Sequence, residues 1–226
     1  NTANTEFEFL TGNSMGFLPA GSVPYQQYIK QEQLSLASHL GALGYVTSAL
    51  HPYRAAGWCR DKVYPWLGFD NTYFQNDFEN ATKLRGYVDD ESAFAKLREL
   101  YQERQGESPL FAFEVTMQNH GGYDWDGDGY FDKRIYLTGE EQDKYPTVDQ
   151  YLSLVRYSDD AVQELISYFS KVDEPTAIVF FGDHQPNLPE DFYNTLLESQ
   201  RGDLSDAELR QKKMVTPFFI WANYDI

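Results

Sequence analysis

Thr176-Ala177-Ile178-Val179-Phe180-Phe181-Gly182-Asp183-His184 is the stretch whose reading decides the fold. An apolar β segment, Thr176 to Phe181, stops at a glycine and is followed by a carboxylate and an imidazole. In α/β proteins, ligands bind in the crevice outside the carboxyl ends of the strands. An Asp-His pair at such an end offers one oxygen and one nitrogen to a single divalent cation. Taken alone, the same letters also describe a turn whose Asp caps the next segment.

Outward from this stretch, apolar strands alternate with helices. Leu36, Leu40 and Leu43 share a helical face between Ser35 and Gly44, and Tyr45 to Leu50 reads as a strand ending at His51-Pro52-Tyr53. A helix is predicted from about Asp90 to Glu103 with Phe94, Leu97 and Leu100 inward, and a buried strand from Leu110 to Met117 ends at Gln118-Asn119-His120. Thr147 with Gln150 reads as a capping box opening a helix to Phe169; Ser205 with Glu208 reads as a second, before a strand from Phe218 to Ala222. This alternation predicts one α/β domain over residues 1–226, with a mostly parallel sheet covered on both faces. Three strands end in His51, His120 and Asp183-His184. Three such ends on one sheet edge would make a site.

Composition narrows the classes. With 42% hydrophobic and 16% aromatic residues among 226, the chain is long and apolar enough to bury a core. The sequence contains no stretch of roughly 18 continuous apolar residues, the length a membrane helix needs. A net charge of −17 argues against nucleic acid and anionic surfaces as partners, so an anionic substrate would need local cations. The single cysteine, Cys59, excludes an intrachain disulfide and a zinc ribbon; it reads as a packing residue.

Four pieces occur in order: Thr2-Ala3-Asn4-Thr5-Glu6-Phe7, Trp58-Cys59-Arg60, Met117-Gln118-Asn119-His120-Gly121-Gly122-Tyr123 and Gly182-Asp183-His184. Together they resemble the extracellular catalytic domain of the lipoteichoic acid synthase family, in the sulfatase and alkaline-phosphatase-like superfamily. The resemblance runs through essentially the whole chain. It implies an alkaline-phosphatase/sulfatase-like three-layer sandwich around a central mostly parallel sheet. Because Asn1 opens inside the first motif, it also implies a fragment lacking the first strand and the C-terminal end.

The resemblance implies roles as well. Thr2 matches the nucleophile that takes the phosphoryl group, with Thr5 as its rival; a divalent cation would lower the hydroxyl's pKa and shield the phosphate. Asp183 and His184 match ligands of that metal, usually manganese in the family, with magnesium or zinc as alternatives. A further carboxylate ligand would lie upstream of Asn1. Trp58, Arg60 and His120 match the substrate pocket, Arg60 through its planar fork of donors and His120 as a group able to bind phosphate or protonate the departing alkoxide. The implied activity transfers a phosphoglycerol group from a membrane phospholipid to a glycolipid or polymer acceptor. It would act outside a bacterial cell, as a monomer held at the membrane by upstream helices. Read without the family, Thr2 could be an ordinary N-cap and Trp58 a core residue, while His51 and His39 read as structural and solvated.

Tyr53 stands where the family commonly carries an aspartate facing the glycerol head, Cys59 where it carries an asparagine, and Gly122 where it carries a proline. These departures leave the head group and acceptor open. Rival readings are a sulfatase, which lacks its Cys/Ser-x-Pro-x-Arg motif here, a phosphoethanolamine transferase, which lacks its paired cysteines, and a non-catalytic ectodomain. Separately, Asp124, Asp126, Asp128 and Asp132 with Gly129 match the start of an EF-hand loop, which would take calcium. Its twelfth position falls on Ile135, so Glu140 or Glu141 would have to supply the last carboxylate.

Overall fold

The computed structural model describes residues 1–127, 131–198 and 204–225, which fall into two compact units, Asn1–Gln118 and Asn119–Ile226. The first unit runs through helices α1 (Thr2–Thr11), α2 (Pro24–Gln27) and α3 (Leu36–Ala42), strand β1 (Val46–Leu50), a 3-10 turn at Gly57–Cys59 and helix α4 (Arg60–Trp66). Strand β2 (Asn71–Tyr73), the small hairpin β3 (Lys83–Leu84) and β4 (Tyr87–Val88), helix α5 (Asp90–Arg104) and strand β5 (Leu110–Glu114) complete it.

Its main sheet is parallel in the order β2-β1-β5, with Ser48 paired to Asn71 on one side and Ala112 on the other. The central strand is sealed on both faces: Thr47, Ala49 and Leu50 are fully buried. On one face Phe9 of α1 stacks on Phe113 at 5.8 Å, and Phe69 stacks on Phe111 at 6.0 Å. On the other, α5 presents Ala93 and Leu100 to Leu50, Val88 and Phe78. This is the expected helix–sheet–helix layering. Burying Thr47 requires partners for its polar atoms: its N–H donates to Asp70 Oδ2 at 2.9 Å, and its hydroxyl accepts from Asp70 N at 2.9 Å. Gly68, just past α4, is the one residue that fits this connection. It has φ +86°, and a Cβ there would lie 2.7 Å from the Ser38 side chain on α3.

Two expected boundaries move in this unit. Strand β5 stops at Glu114 and not Met117, because the His51 ring donates through Nδ1 to Val115 O at 2.9 Å and takes the carbonyl that would extend the ladder. Leu43 falls past the end of α3 and is exposed, so it does not share the buried face of Ala37.

The second unit contains helix α6 (Pro146–Phe169), strand β6 (Ala177–Phe181), helices α7 (Glu190–Glu198) and α8 (Asp206–Lys212), and strand β7 (Phe218–Ala222). Helix α6 opens with Pro146 at its first position, and no side chain caps it. The Thr147–Gln150 capping box does not form, because Gln150 instead brackets the Trp125 backbone, donating to its O at 3.0 Å and accepting from its N at 3.3 Å. The Ser205–Glu208 box forms as expected at the head of α8. Strands β6 and β7 pair antiparallel in a sheet of their own, Val179 opposite Ile220. Asn223, just after β7, donates from Nδ2 toward Val172 O at 2.9 Å and Glu174 O at 3.0 Å, and its Oδ1 accepts from Thr176 N at 2.8 Å. One side chain thereby ties the end of α6 to the start of β6. Among the described residues no helix is long and apolar enough to cross a membrane.

Replacing Gly68 by alanine should destabilise the first unit by about 1–3 kcal/mol, since it adds both left-handed strain and a collision with α3. Urea unfolding followed by tryptophan fluorescence would measure this, and an unchanged midpoint would refute the close approach.

Candidate active site

Helix α1 carries the threonines. Asn1 caps it, its Oδ1 accepting from Asn4 N at 3.1 Å. Thr2 therefore sits in the first turn, where the helix dipole favours negative charge. Thr2 and Thr5 are both half-buried, so exposure does not separate the two candidate nucleophiles. The capping role available to Thr2 in the sequence belongs to Asn1.

The loop after β1 carries Tyr53 and Trp58 and leads into Arg60, the residues expected to line a substrate pocket. His51 is buried and structural, as its bond to Val115 requires. Tyr53 is half-buried, its ring 6.2 Å from that of Tyr87, with the Arg54 guanidinium 6.0 Å from its centroid. Trp58 (φ 55°, ψ 21°) and Cys59 (φ 61°, ψ 28°) then adopt left-handed backbone in succession. For residues with a Cβ this costs roughly 1–2 kcal/mol apiece, and such strain persists only where surrounding contacts impose it. Both side chains are half-buried.

Arg60 follows directly and lies inside the unit, 2% exposed. Its Nε donates to Glu6 Oε1 at 3.1 Å and Oε2 at 3.3 Å, its Nη2 also donates to Glu6 Oε1, and its Nη1 donates to Gly57 O at 3.3 Å. Tyr64 Oη donates to Glu6 Oε2 at 2.9 Å. Burial first, and then the Glu6 carboxylate, hold the Tyr25 and Tyr64 hydroxyls well above their ordinary pKa. The fork expected to face a phosphate is closed on a carboxylate. Glu6 belongs to the Thr-x-x-Thr-Glu-Phe motif, but nothing in the sequence joins residue 6 to residue 60.

In the second unit Asp183 and His184 lie just beyond β6. His184 Nδ1 donates to Gln185 O at 2.8 Å, which turns Nε2 toward Asp183. That nitrogen is 3.2 Å from Asp183 Oδ2. Two acceptors this close suit a shared proton or a shared cation, and an imidazole whose other nitrogen is fixed by a carbonyl is a normal ligand arrangement. The pair thus fits a divalent metal. Among the described residues no cluster of three or more His, Cys, Asp or Glu is assembled. His120 is exposed on the turn after β5, beside Asn119, whose side chain donates to Ser158 Oγ at 2.8 Å. Thr2, Tyr53, Trp58 and Arg60 thus belong to the first unit, and His120, Asp183 and His184 to the second.

In the acidic loop Asp124, Asp126 and Asp132 are exposed, and Asp128 lies outside the described residues. Ile135, at the twelfth position, donates its N–H to Ser153 Oγ at 3.0 Å, and Glu141 faces Lys144 at 3.4 Å.

One titratable group escaped the sequence reading. Glu114 ends β5, and both its carboxylate oxygens are sealed from solvent with no hydrogen-bond partner, though the residue as a whole is only half-buried. Burial, and then Asp90 on α5, push it from 4.5 up to about 8. A lone acid in the otherwise uncharged run Leu110–Met117 was the available signal. Between these two values the folded state holds a proton that the unfolded state has lost. Stability should therefore fall as pH rises from about 4.5 to about 8, by up to about 1.4 kcal/mol per unit, and level off above. Glu114→Gln should flatten that slope and raise the urea midpoint at pH 8.5. An unchanged slope would mean that the carboxyl is solvated.

The sulfatase family model matches residues 1–226. A Rhizobium meliloti protein described as a cyclic beta-1,2-glucan modification protein is 34% identical over 229 residues, covering 98% of this chain and 35% of its own length. Among solved structures, the lipoteichoic acid synthase LtaP from Listeria monocytogenes matches 97% of this chain and 53% of its own, with a TM-score of 0.76 at 22% identity. The Streptococcus pyogenes phosphoglycerol transferase GacH, solved with sn-glycerol-1-phosphate, matches 99% and 55%, with a TM-score of 0.72 at 24% identity. These structural likenesses show the fold. This chain spans about a third of the glucan-modifying relative and about half of each solved chain.

Proposed function

Since this chain belongs to the sulfatase family, we propose that it carries the catalytic residues of a metal-dependent phosphoglycerol transferase acting on cell-envelope glycan outside the bacterial membrane. The observation that carries this reading is the Asp183–His184 pair, whose carboxylate oxygen and imidazole nitrogen stand 3.2 Å apart. On this reading Asp183 and His184 would hold manganese, or magnesium or zinc, which lowers a hydroxyl pKa and neutralises phosphate charge when bound, and Thr2 is the hydroxyl that takes phosphorus.

Thr2 Oγ attacks phosphorus in the donor phospholipid. A P–O bond forms to Thr2 while the bond to diacylglycerol breaks, and the proton lost by Thr2 is matched by one gained by the departing alkoxide. His120, exposed on its turn, is the group suited to deliver that proton. An acceptor hydroxyl then displaces Thr2 by the same exchange. Trp58 and Tyr53 line the loop after β1 and select the alcohols on either side of the phosphate. A tyrosine where the family carries an aspartate favours a ring-bearing acceptor over bare glycerol, in keeping with the glucan-modifying description of the relative.

In the full-length protein with manganese and phosphatidylglycerol, Thr2→Ala should reduce diacylglycerol release by at least about a thousandfold. Intact mass should show a phosphoglycerol adduct in wild type and none in Thr2→Ala. Asp183→Asn and His184→Ala should each lower bound metal, measured by elemental analysis. Activity retained in Thr2→Ala but lost in Thr5→Ala would move the nucleophile by one helical turn.

A further inference from the structure

The Glu6–Arg60 pair is a clamp between two elements that both bear site residues. Thr2 and Glu6 lie four residues apart on α1 and so share a face of that helix. Glu6 is held through both carboxylate oxygens, by Arg60 from the start of α4 and by Tyr64 one turn later. Each side chain of the pair is 3% exposed. A two-pronged anchor at position 6 fixes the rotation of α1 about its own axis, and hence the direction in which Thr2 points. The other end of the clamp is covalently next to Trp58 and Cys59, whose left-handed backbone needs an external restraint. Arg60 Nη1 reaches back to Gly57 O across that turn.

We infer that Arg60 and Glu6 are positioning residues, which aim the Thr2 helix and hold the Trp58–Cys59 turn, and that Arg60 does not read the phosphate. This rests on Thr2 being the group that takes phosphorus. Burial lowers the Arg60 pKa, but Glu6 and then Tyr64 more than offset it, so the guanidinium stays charged and bound. Turning the fork toward a phosphate would leave Glu6 as a buried charge without its counter-ion, an arrangement proteins avoid. Replacing both partners by apolar residues removes that conflict, and this gives the test its leverage.

Hydrogen exchange of the α1 amides and turnover of phosphatidylglycerol are measured on the full-length protein. Arg60→Met should speed α1 exchange by at least about tenfold and lower kcat by about a hundredfold. Adding Glu6→Leu should bring both back to within about threefold of wild type, because no buried charge is left alone. Arg60→Lys, which keeps the charge and favours folding, should still loosen α1 because it lacks the fork. A double variant with α1 protection restored but turnover still lost, and KM for the lipid raised, would show that Arg60 touches substrate and overturn the proposal. Unchanged α1 exchange in Arg60→Met would overturn it as well. A wild-type protein that turns over no phosphodiester would sink the transferase reading, and the exchange data alone would then decide the clamp.

Discussion

Strand β1 is closed on both faces, and the first unit is organised around that constraint. A strand with no solvent side must have helices above and below it, and its polar atoms must be satisfied from within. Thr47 and Asp70 bond to each other at the strand's entry, and His51 and Val115 at its exit. Between these two locks the strand carries no exposed group. Chemistry can only be placed in the loops beyond its carboxyl end, which is where Tyr53, Trp58 and the turn into α4 are found.

The same constraint explains why these loop residues are half-buried. Tyr53 packs its ring against His51 and Tyr87, each at 6.2 Å, and the loop runs on into α4, where Tyr64 packs against Phe69 at 5.5 Å and Phe74 at 6.1 Å. Rings this close leave little room for adjustment, so a loop seated on them inherits their order. Preorganisation of this kind comes from packing and needs no ligand to impose it.

Elements whose signals are local were legible in the sequence. Helix α5 has an Asp89 N-cap and regular apolar spacing, α8 has its capping box, and β7 is a continuous apolar run; each stands close to where the residues place it. The start of α6 was misread, because the capping-box spacing of Thr147 and Gln150 says nothing about Gln150 having a better partner at Trp125, 25 residues away. The candidate site divides the same way. Asp183 and His184 are neighbours in the chain, so their juxtaposition was readable. The Glu6–Arg60 pair spans 54 residues, and the family resemblance gave Arg60 a partner outside the protein when the nearest anion was inside it. The orphaned carboxyl of Glu114 was hidden for a related reason, since only the packed α5 face shows that nothing meets it.

The paired left-handed residues at Trp58 and Cys59 give this region its own cooperativity. A strained turn stores free energy that is released once its restraint lets go, so partial openings of the Arg60 clamp gain nothing by keeping the turn intact. The turn and the head of α4 therefore tend to open as one unit, not by progressive fraying. Side chains at positions 58 and 59 can then change without blurring the geometry of the turn, provided that the clamp beneath them is kept.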